Sequence, residues 1–233
     1  MKDLFGKAIF DFQTNNLPED LITETSISEA DEMSVAYLFR SYDQMPKIER
    51  LALDLAYGKV LDAGCGAGSH SLYLLHEKNL DVQPIDISPN AIAACKLRGL
   101  DNAHVVNLMS YEGKFDTILL LMNGAGMCGK LKYLKDFLLK LKSLLNDGGQ
   151  ILLDSSDIIY MFDDEDDVKS ILEENEYYGE VNFKVTYKGQ TDVPFNWMYI
   201  DFQTLANAAS ECKINCELIS DGEHYDYLAR LTL

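Results

Sequence analysis

The sequence predicts an α/β protein built on a doubly wound, mostly parallel sheet. Three observations carry this. Between residues 59 and 154 short apolar runs alternate with helical patterns, the arrangement of β–α–β units with right-handed crossovers. Val60-Leu61-Asp62-Ala63-Gly64-Cys65-Gly66-Ala67-Gly68-Ser69-His70 is a buried strand ending in a carboxylate, then three glycines at alternate positions, then a helix start. Phe115-Asp116-Thr117-Ile118-Leu119-Leu120-Leu121-Met122 is a near-continuous apolar run, as in a central parallel strand buried on both faces.

Residues 1–50 precede the first core strand and are expected to form a helical lid. The segment 28–40 opens on a serine and acids, then places apolar residues at helical spacing. Pro46 interrupts that pattern, and 48–57 forms another helix leading into Gly58. The core follows as strand 59–63, helix 70–78, strand 81–87, helix 90–98 and strand 103–107. Ser88-Pro89 supplies an N-cap and a first-turn proline for the helix 90–98. About seven residues join Asn107 to the strand near Phe115, which leaves little room for a crossover helix. Residues 131–145 form an amphipathic helix ending at the glycine turn Asn146-Asp147-Gly148-Gly149, and 150–154 is the next strand.

From Asp157 the alternation breaks. Asp163-Asp164-Glu165-Asp166-Asp167 lacks the glycine and alternation of a calcium loop and is expected to be a solvated loop. Residues 180–188 alternate polar and apolar, Gly189-Gln190 turns, and 195–200 is aromatic-rich, which is a β-hairpin pattern. An amphipathic helix at 201–212 precedes strands 213–219 and 225–231 about Asp221-Gly222, giving the sheet an antiparallel C-terminal strand. The expected organisation is a helical N-terminal lid at 1–50, a core from 51–156 and 201–233, and an inserted acidic loop and β-hairpin cap at 157–200.

The glycines of the first loop run G-x-G-x-G, whereas a dinucleotide fold requires G-x-G-x-x-G to seat a pyrophosphate on the helix N-terminus. With Asp62 two residues before the first glycine, the pattern resembles the nucleotide motif of class I S-adenosylmethionine-dependent methyltransferases. The second strand, within Leu80-Asp81-Val82-Gln83-Pro84-Ile85-Asp86-Ile87-Ser88, ends in Asp86, 22 residues after Gly64. That is near the offset at which Rossmann-like folds place a carboxylate on ribose hydroxyls. Taken alone, Asp86 also suits a surface turn. An F-D-x-I strand at Phe115, then a helix, D-G-G and an apolar strand, extends the resemblance over residues 58–155.

The resemblance implies a Rossmann-like fold, S-adenosyl-L-methionine as cofactor, S-adenosyl-L-homocysteine as product, and methyl transfer to a small-molecule acceptor. Asp62 would orient the methionine end through loop amides or water, and Gly64, Gly66 and Gly68 would let the backbone approach. Cys65 is a small residue tolerated beside the cofactor rather than a nucleophile, since no histidine is placed near it as an evident base. Asp86, with Ile87 beside it, would hold the ribose. Asn107 and Leu108 would meet the adenine, with a strand-end cap the alternative for Asn107. Met122 and Asn123 stand at the C-terminal end of the fourth strand, where ligands of such sheets bind. Asn123 is followed by glycine rather than the Pro-Pro-aromatic of many amino-directed relatives, so amine methylation is not indicated. Tyr37, Tyr42, Asn123, Asp154, Tyr178 and Trp197 are the candidate acceptor-pocket residues; such lid aromatics also serve simply as packing. No general base is identifiable, and His70 is expected to pack near the loop.

The formal net charge of −18, with no basic cluster, argues against nucleic acid and favours a neutral or cationic small molecule. No apolar run reaches the roughly 18 residues needed to span a bilayer, and the N-terminus carries no signal-peptide pattern, so a cytoplasmic location is expected. Five cysteines without a C-x-x-C pair argue against a disulfide framework or structural zinc, and no metal site is expected. A monomer or homodimer is expected. The competing readings are an inactive S-adenosylmethionine-binding regulatory module, an aminopropyl transferase and an NAD-dependent dehydrogenase, the last disfavoured by the glycine spacing.

Overall fold

The computed structural model describes residues 2–162 and 177–233. The chain opens with α1 (Leu4–Gln13) and an antiparallel hairpin of β1 (Leu21–Thr25) and β2 (Ser28–Met33). The helix expected over 28–40 is therefore replaced by an edge strand and a 3-10 turn, Val35–Phe39. The acids that suggested a helix start are solvent-facing positions of β2. What decides the conformation is the pairing of β1 with a strand at Glu180–Tyr187, far downstream, which no local pattern reveals. The segment before α2 is thus a helix, a hairpin and short 3-10 turns rather than helices alone.

α2 (Lys47–Leu55) leads into β3 (Lys59–Ala63), followed by α3 (Ser69–His76), β4 (Asp81–Asp86), α4 (Pro89–Leu97) and β5 (His104–Val105). Only a 3-10 turn, Leu108–Ser110, joins β5 to β6 (Phe115–Leu120), as the short connection required. α5 (Leu134–Ser143) then feeds β7 (Leu145–Ser156). The glycine turn expected at 146–149 lies inside β7, as an irregularity in its pairing with β6 where Gly148 takes φ 76.

The acid run 163–167 lies outside the described residues. Beyond it come β8 (Glu180–Tyr187), β9 (Gln190–Thr191), β10 (Phe195–Met198), α6 (Phe202–Glu211), β11 (Asn215–Asp221) and β12 (Asp226–Thr232). The main sheet has the order β11-β12-β7-β6-β3-β4-β5. Strands β3 to β7 are parallel, and β12 joins β7 antiparallel. The hairpin insert does not stand alone. It combines with the N-terminal hairpin into a second sheet, β10-β8-β1-β2, with β9 on β8.

The continuous apolar strands are explained by two-sided burial. Val60, Leu119, Leu152 and Leu228 pack under α2 and α3 through Ile48, Leu53 and Leu74. Leu61, Ile118, Leu120 and Ile151 pack under α5 and α6 through Phe137, Leu138 and Leu205. α1 lies on α4, with Ile9 against Ala91 and Ala94. Gly6 makes that approach possible, since a Cβ there would stand 1.8 Å from Ser88 Oγ. Among the described residues, no helix is long and apolar enough to cross a membrane.

Candidate active site

β3 ends at Asp62-Ala63, and the chain turns through Gly64 (φ 77) and Gly66 (φ 53), entering α3 at Gly68 (φ 82). These are left-handed conformations that glycine adopts at little cost. The amides of Gly64 and Cys65 donate to the Ile85 carbonyl at 2.8 and 3.0 Å, and that of Gly66 donates to Asp86 Oδ2 at 3.0 Å. The amides of Gly64, Cys65 and Gly66 are thus satisfied within the protein. A Cβ at Gly66 would meet nothing within 4 Å, and one at Gly64 would meet Met127 Sδ at 3.3 Å. The outer side of the loop is therefore open, with Met127 as its far wall. Gly68 is different, because a Cβ there would press on Leu100 Cδ1 at 2.5 Å.

Asp86 closes β4. Its Oδ1 accepts from the Ser88 amide at 2.8 Å and its Oδ2 from Gly66, so each oxygen keeps a lone pair for another donor. Burial raises its pKa above the ordinary carboxylate value, while the Ser88 and Gly66 amides draw it down. Ser88 caps α4 as expected, accepting from the Ala91 amide at 2.9 Å, and Asp3 Oδ2 accepts from Ser88 Oγ at 2.9 Å. Ile87 beside it is 60% exposed. Asn107 takes the cap role: its Oδ1 accepts from the Met109 amide at 2.8 Å. Its Nδ2 makes no hydrogen bond among the described residues and faces no competitor for a ligand contact. Leu108 is buried beside it.

Across β3, the chain leaves β6 through Met122 (φ 64) and Asn123 (φ 58), two left-handed residues that are not glycine. Buried Asp154 on β7 holds them there, accepting from the Met122 amide at 2.9 Å and the Gly124 amide at 3.0 Å. Burial pushes its pKa up to about 7 against the pull of those amides. Asn123 is tied between the two sheets rather than left free for an acceptor. Its Oδ1 accepts from Ser155 Oγ at 2.8 Å, and its Nδ2 donates to the Met198 carbonyl at 3.2 Å. Trp197 packs on Gly126, where a Cβ would lie 2.1 Å from the indole.

The remaining expected residues separate. Tyr37 is half-exposed, with its ring centroid 4.0 Å from the Arg40 guanidinium carbon. Tyr178 lies past the end of β7, where its hydroxyl donates to Asp157 at 2.8 Å. Tyr42 does not join this group. Its hydroxyl donates to Asp54, at the end of α2 that leads into the N-terminal end of β3, and its ring stacks on Tyr73. Cys65 Sγ lies 3.9 Å from Cys95 Sγ, and that neighbour together with burial raises the Cys65 thiol well above its ordinary value, which suits an inert residue. No His, Cys, Asp or Glu cluster that could hold a metal occurs among the described residues.

Sequence reasoning missed a buried ionic group. Glu49 on α2 accepts from His70 Nε2 at 2.7 Å and pairs with Arg40 Nη2. The next residue, Ser71, donates its hydroxyl to Asp62 Oδ2 at 2.5 Å. Met127, as the wall facing Gly64, was also invisible, because it sits in a 3-10 turn with no periodic signal.

An adenosine-bearing ligand without a phosphate fits this arrangement: an open glycine turn with satisfied amides, a carboxylate at the end of β4, and an apolar flank at Ile87 and Leu108. A family profile described as a methyltransferase domain matches residues 56–200, and the chain belongs to this family, within the class I S-adenosylmethionine-dependent methyltransferases. A crystal structure of an S-adenosylmethionine-dependent methyltransferase from Bacteroides fragilis, in complex with S-adenosyl-L-homocysteine, is 44% identical. The match covers 100% of this chain and 95% of that one, with a TM-score of 0.90. A 2-heptyl-1-hydroxyquinolin-4(1H)-one methyltransferase from Mycobacteroides abscessus is 35% identical over 117 residues, 46% of this chain and 51% of that protein. The chain thus spans about half the length of that curated relative. The sugar N-methyltransferase KedS8 from a Streptoalloteichus species, at 13% identity and a TM-score of 0.53 over 79% of this chain and 84% of that one, shares the fold. The cofactor is S-adenosyl-L-methionine.

Proposed function

We propose that the chain methylates a small, ring-bearing acceptor held over the C-terminal ends of β6 and β7. The observation that carries this reading is the cover placed there by the second sheet, through Trp197 on Gly126 and the Asn123–Met198 hydrogen bond. Such a cover admits a small molecule and excludes a polymer. Beside the end of β7 lies a cavity of about 150 Å³ with apolar and phenolic walls at Ile158, Tyr160, Val181 and Tyr199 and hydroxyls at Thr25, Ser28 and Ser156. Apolar and phenolic walls interspersed with hydroxyls suit an uncharged aromatic ring that carries a polar substituent. The hydroxyquinolinone acceptor in the name of the Mycobacteroides abscessus relative supports a hydroxylated ring as the acceptor class.

When bound, the cofactor supplies an electrophilic sulfonium methyl. The protein's part is to position and desolvate. Asp86 accepts from the ribose hydroxyls with the lone pairs left by Ser88 and Gly66. Gly64 and Gly66 admit the ligand against bare backbone. Ile87, Leu108 and Met122 flank the adenine, and Asn107 Nδ2 donates to it. Asp62 faces the amino-acid end. Asp154 fixes the Met122–Asn123 turn so that this wall does not collapse into the site. Tyr37, Tyr178 and Trp197 bound the acceptor space, while Tyr42 does not. With all five cysteines unpaired, we place the protein in the reducing cytoplasm.

Incubation with methyl-labelled S-adenosylmethionine tests this reading, with hydroxyquinolinones and phenols set against amines and RNA. The expected product is a hydroxylated ring one methyl group heavier. Label entering only RNA or only amines overturns the acceptor assignment.

A further inference from the structure

Asp3 stands at the N-cap position of α1, yet its carboxylate does not cap that helix. Its backbone lies in the left-handed region, at φ 57 and ψ 45, where an N-cap residue is ordinarily extended. Aspartate adopts this conformation less readily than glycine. A residue that gives up its own cap and keeps a disfavoured backbone is held there by contacts elsewhere.

Those contacts are on α4 and on the second sheet. Asp3 Oδ2 accepts from Ser88 Oγ at 2.9 Å, from Asn90 Nδ2 at 2.8 Å and from the Asn90 amide at 3.3 Å. The carboxylate thus faces the N-terminus of α4, where the free ends of the backbone N–H groups favour an anion. Gly6 leaves room for this bond, since a Cβ there would stand 2.5 Å from Asp3 Oδ1 as well as 1.8 Å from Ser88 Oγ. On either side of Asp3 the backbone is clamped by buried Asp192, which follows β9. The Lys2 amide donates to its two oxygens at 2.8 and 3.0 Å, and the Leu4 amide to Oδ2 at 3.4 Å.

Ser88 joins this arrangement to the site. Its hydroxyl donates to Asp3, and its amide donates to Asp86 Oδ1 at 2.8 Å. Asp86 is therefore oriented from two sides, by the glycine loop through Gly66 and by α4 through Ser88. Accepting from both hydroxyls of a ribose requires both carboxylate oxygens to be fixed before the ligand arrives, and that preorganisation adds affinity.

We propose that Asp3 is a positioning residue for the ribose subsite: it anchors Ser88, which in turn fixes Asp86, and Asp192 ties the second sheet into the same chain of contacts. The proposal rests on Asp86 as the ribose carboxylate and extends that reading to the N-terminal segment.

Calorimetry of the full chain with S-adenosylhomocysteine, arranged as a double-mutant cycle, tests this. Asp3→Gly removes the carboxylate and suits the positive φ, so the fold is expected to survive. It is expected to weaken binding about fivefold in the otherwise unmodified protein. In an Asp86→Ala background the same change is expected to weaken binding by less than about twofold, because Asp3 acts through Asp86. Asp3→Asn keeps an acceptor oxygen for Ser88 and tolerates the same backbone, and is expected to hold affinity within about twofold of the unmodified protein. Equal losses in both backgrounds, unchanged affinity in Asp3→Gly, or a loss in Asp3→Asn equal to that in Asp3→Gly overturn the proposal. Loss of the folded circular dichroism signal in Asp3→Gly makes Asp3 a structural residue and overturns it as well. Unchanged affinity in Asp86→Ala alone instead removes the ribose assignment itself, and this proposal with it.

Discussion

Gly66 and Gly68 both lie in the left-handed region, two residues apart, yet the structure assigns them different jobs. Alanine at either position incurs about 1 kcal/mol for placing a side chain at positive φ. At Gly66 (φ 53) nothing lies within 4 Å of the new methyl, so that strain is the whole cost to stability. The methyl then stands in the space where the cofactor meets the loop, and S-adenosylhomocysteine affinity is expected to fall by at least about tenfold. At Gly68 (φ 82) the methyl would lie 2.5 Å from Leu100 Cδ1 and 3.0 Å from Cys95 Sγ. Overpacking of this kind adds about 1–3 kcal/mol, for a total of about 2–4 kcal/mol, a large share of the roughly 5–15 kcal/mol that holds a domain together. Urea unfolding followed by circular dichroism, with calorimetry on the folded variants, separates the two effects. Gly66→Ala is expected to be nearly as stable as the unmodified protein but deficient in binding. Gly68→Ala is expected to be much less stable. Normal binding by Gly66→Ala, or equal stability of the two variants, would refute the assignment.

Three further outcomes follow from the geometry. Asp86→Ala is expected to weaken S-adenosylhomocysteine binding by about 2 kcal/mol through lost charge-assisted bonds to the ribose; unchanged affinity in calorimetry contradicts the ribose role. Asp154, raised by burial to about 7, keeps its proton longer in the folded than in the unfolded chain, so its contribution is complete below about pH 4 and is lost as pH rises toward 7. Relative to Asp154→Asn, the unmodified protein is expected to lose at most about 1.4 kcal/mol of stability per pH unit across that window, and a pH-independent difference in urea unfolding counts against a proton on Asp154. The segment after β2 is joined to the first turn of α3 by Ser69 Oγ donating to the Leu38 carbonyl at 2.8 Å. S-adenosylhomocysteine is therefore expected to slow hydrogen exchange over residues 35–45, and no slowing there sinks the lid role of this segment.

The core and half of the site were legible because their signals are local. Ser88-Pro89 fixes the start of α4 by its own cap, the glycine loop marks itself, and two-sided burial writes β6 as an unbroken apolar run. The missed features depend on distant partners. β2 resembles a helix start until β1 pairs with β8 from the far end of the chain. Glu49 and His70 are ordinary helix residues until α2 packs beside α3. Asn123 looked like a ligand contact at a strand end, but Ser155 and Met198 occupy its amide. Tyr42 was one aromatic among several in the lid, and only the packing of α2 and α3 turns it away.

Thermal unfolding of the purified chain with S-adenosylhomocysteine and, separately, with NAD tests the central claim most directly. Binding at about micromolar affinity or tighter is expected for S-adenosylhomocysteine, giving about 3 kcal/mol of stabilisation at a hundredfold excess over Kd and a matching rise in Tm. NAD is expected to leave Tm unchanged, because the glycines run G-x-G-x-G rather than the G-x-G-x-x-G that seats a pyrophosphate. Stabilisation by NAD, with none from S-adenosylhomocysteine, would contradict the account.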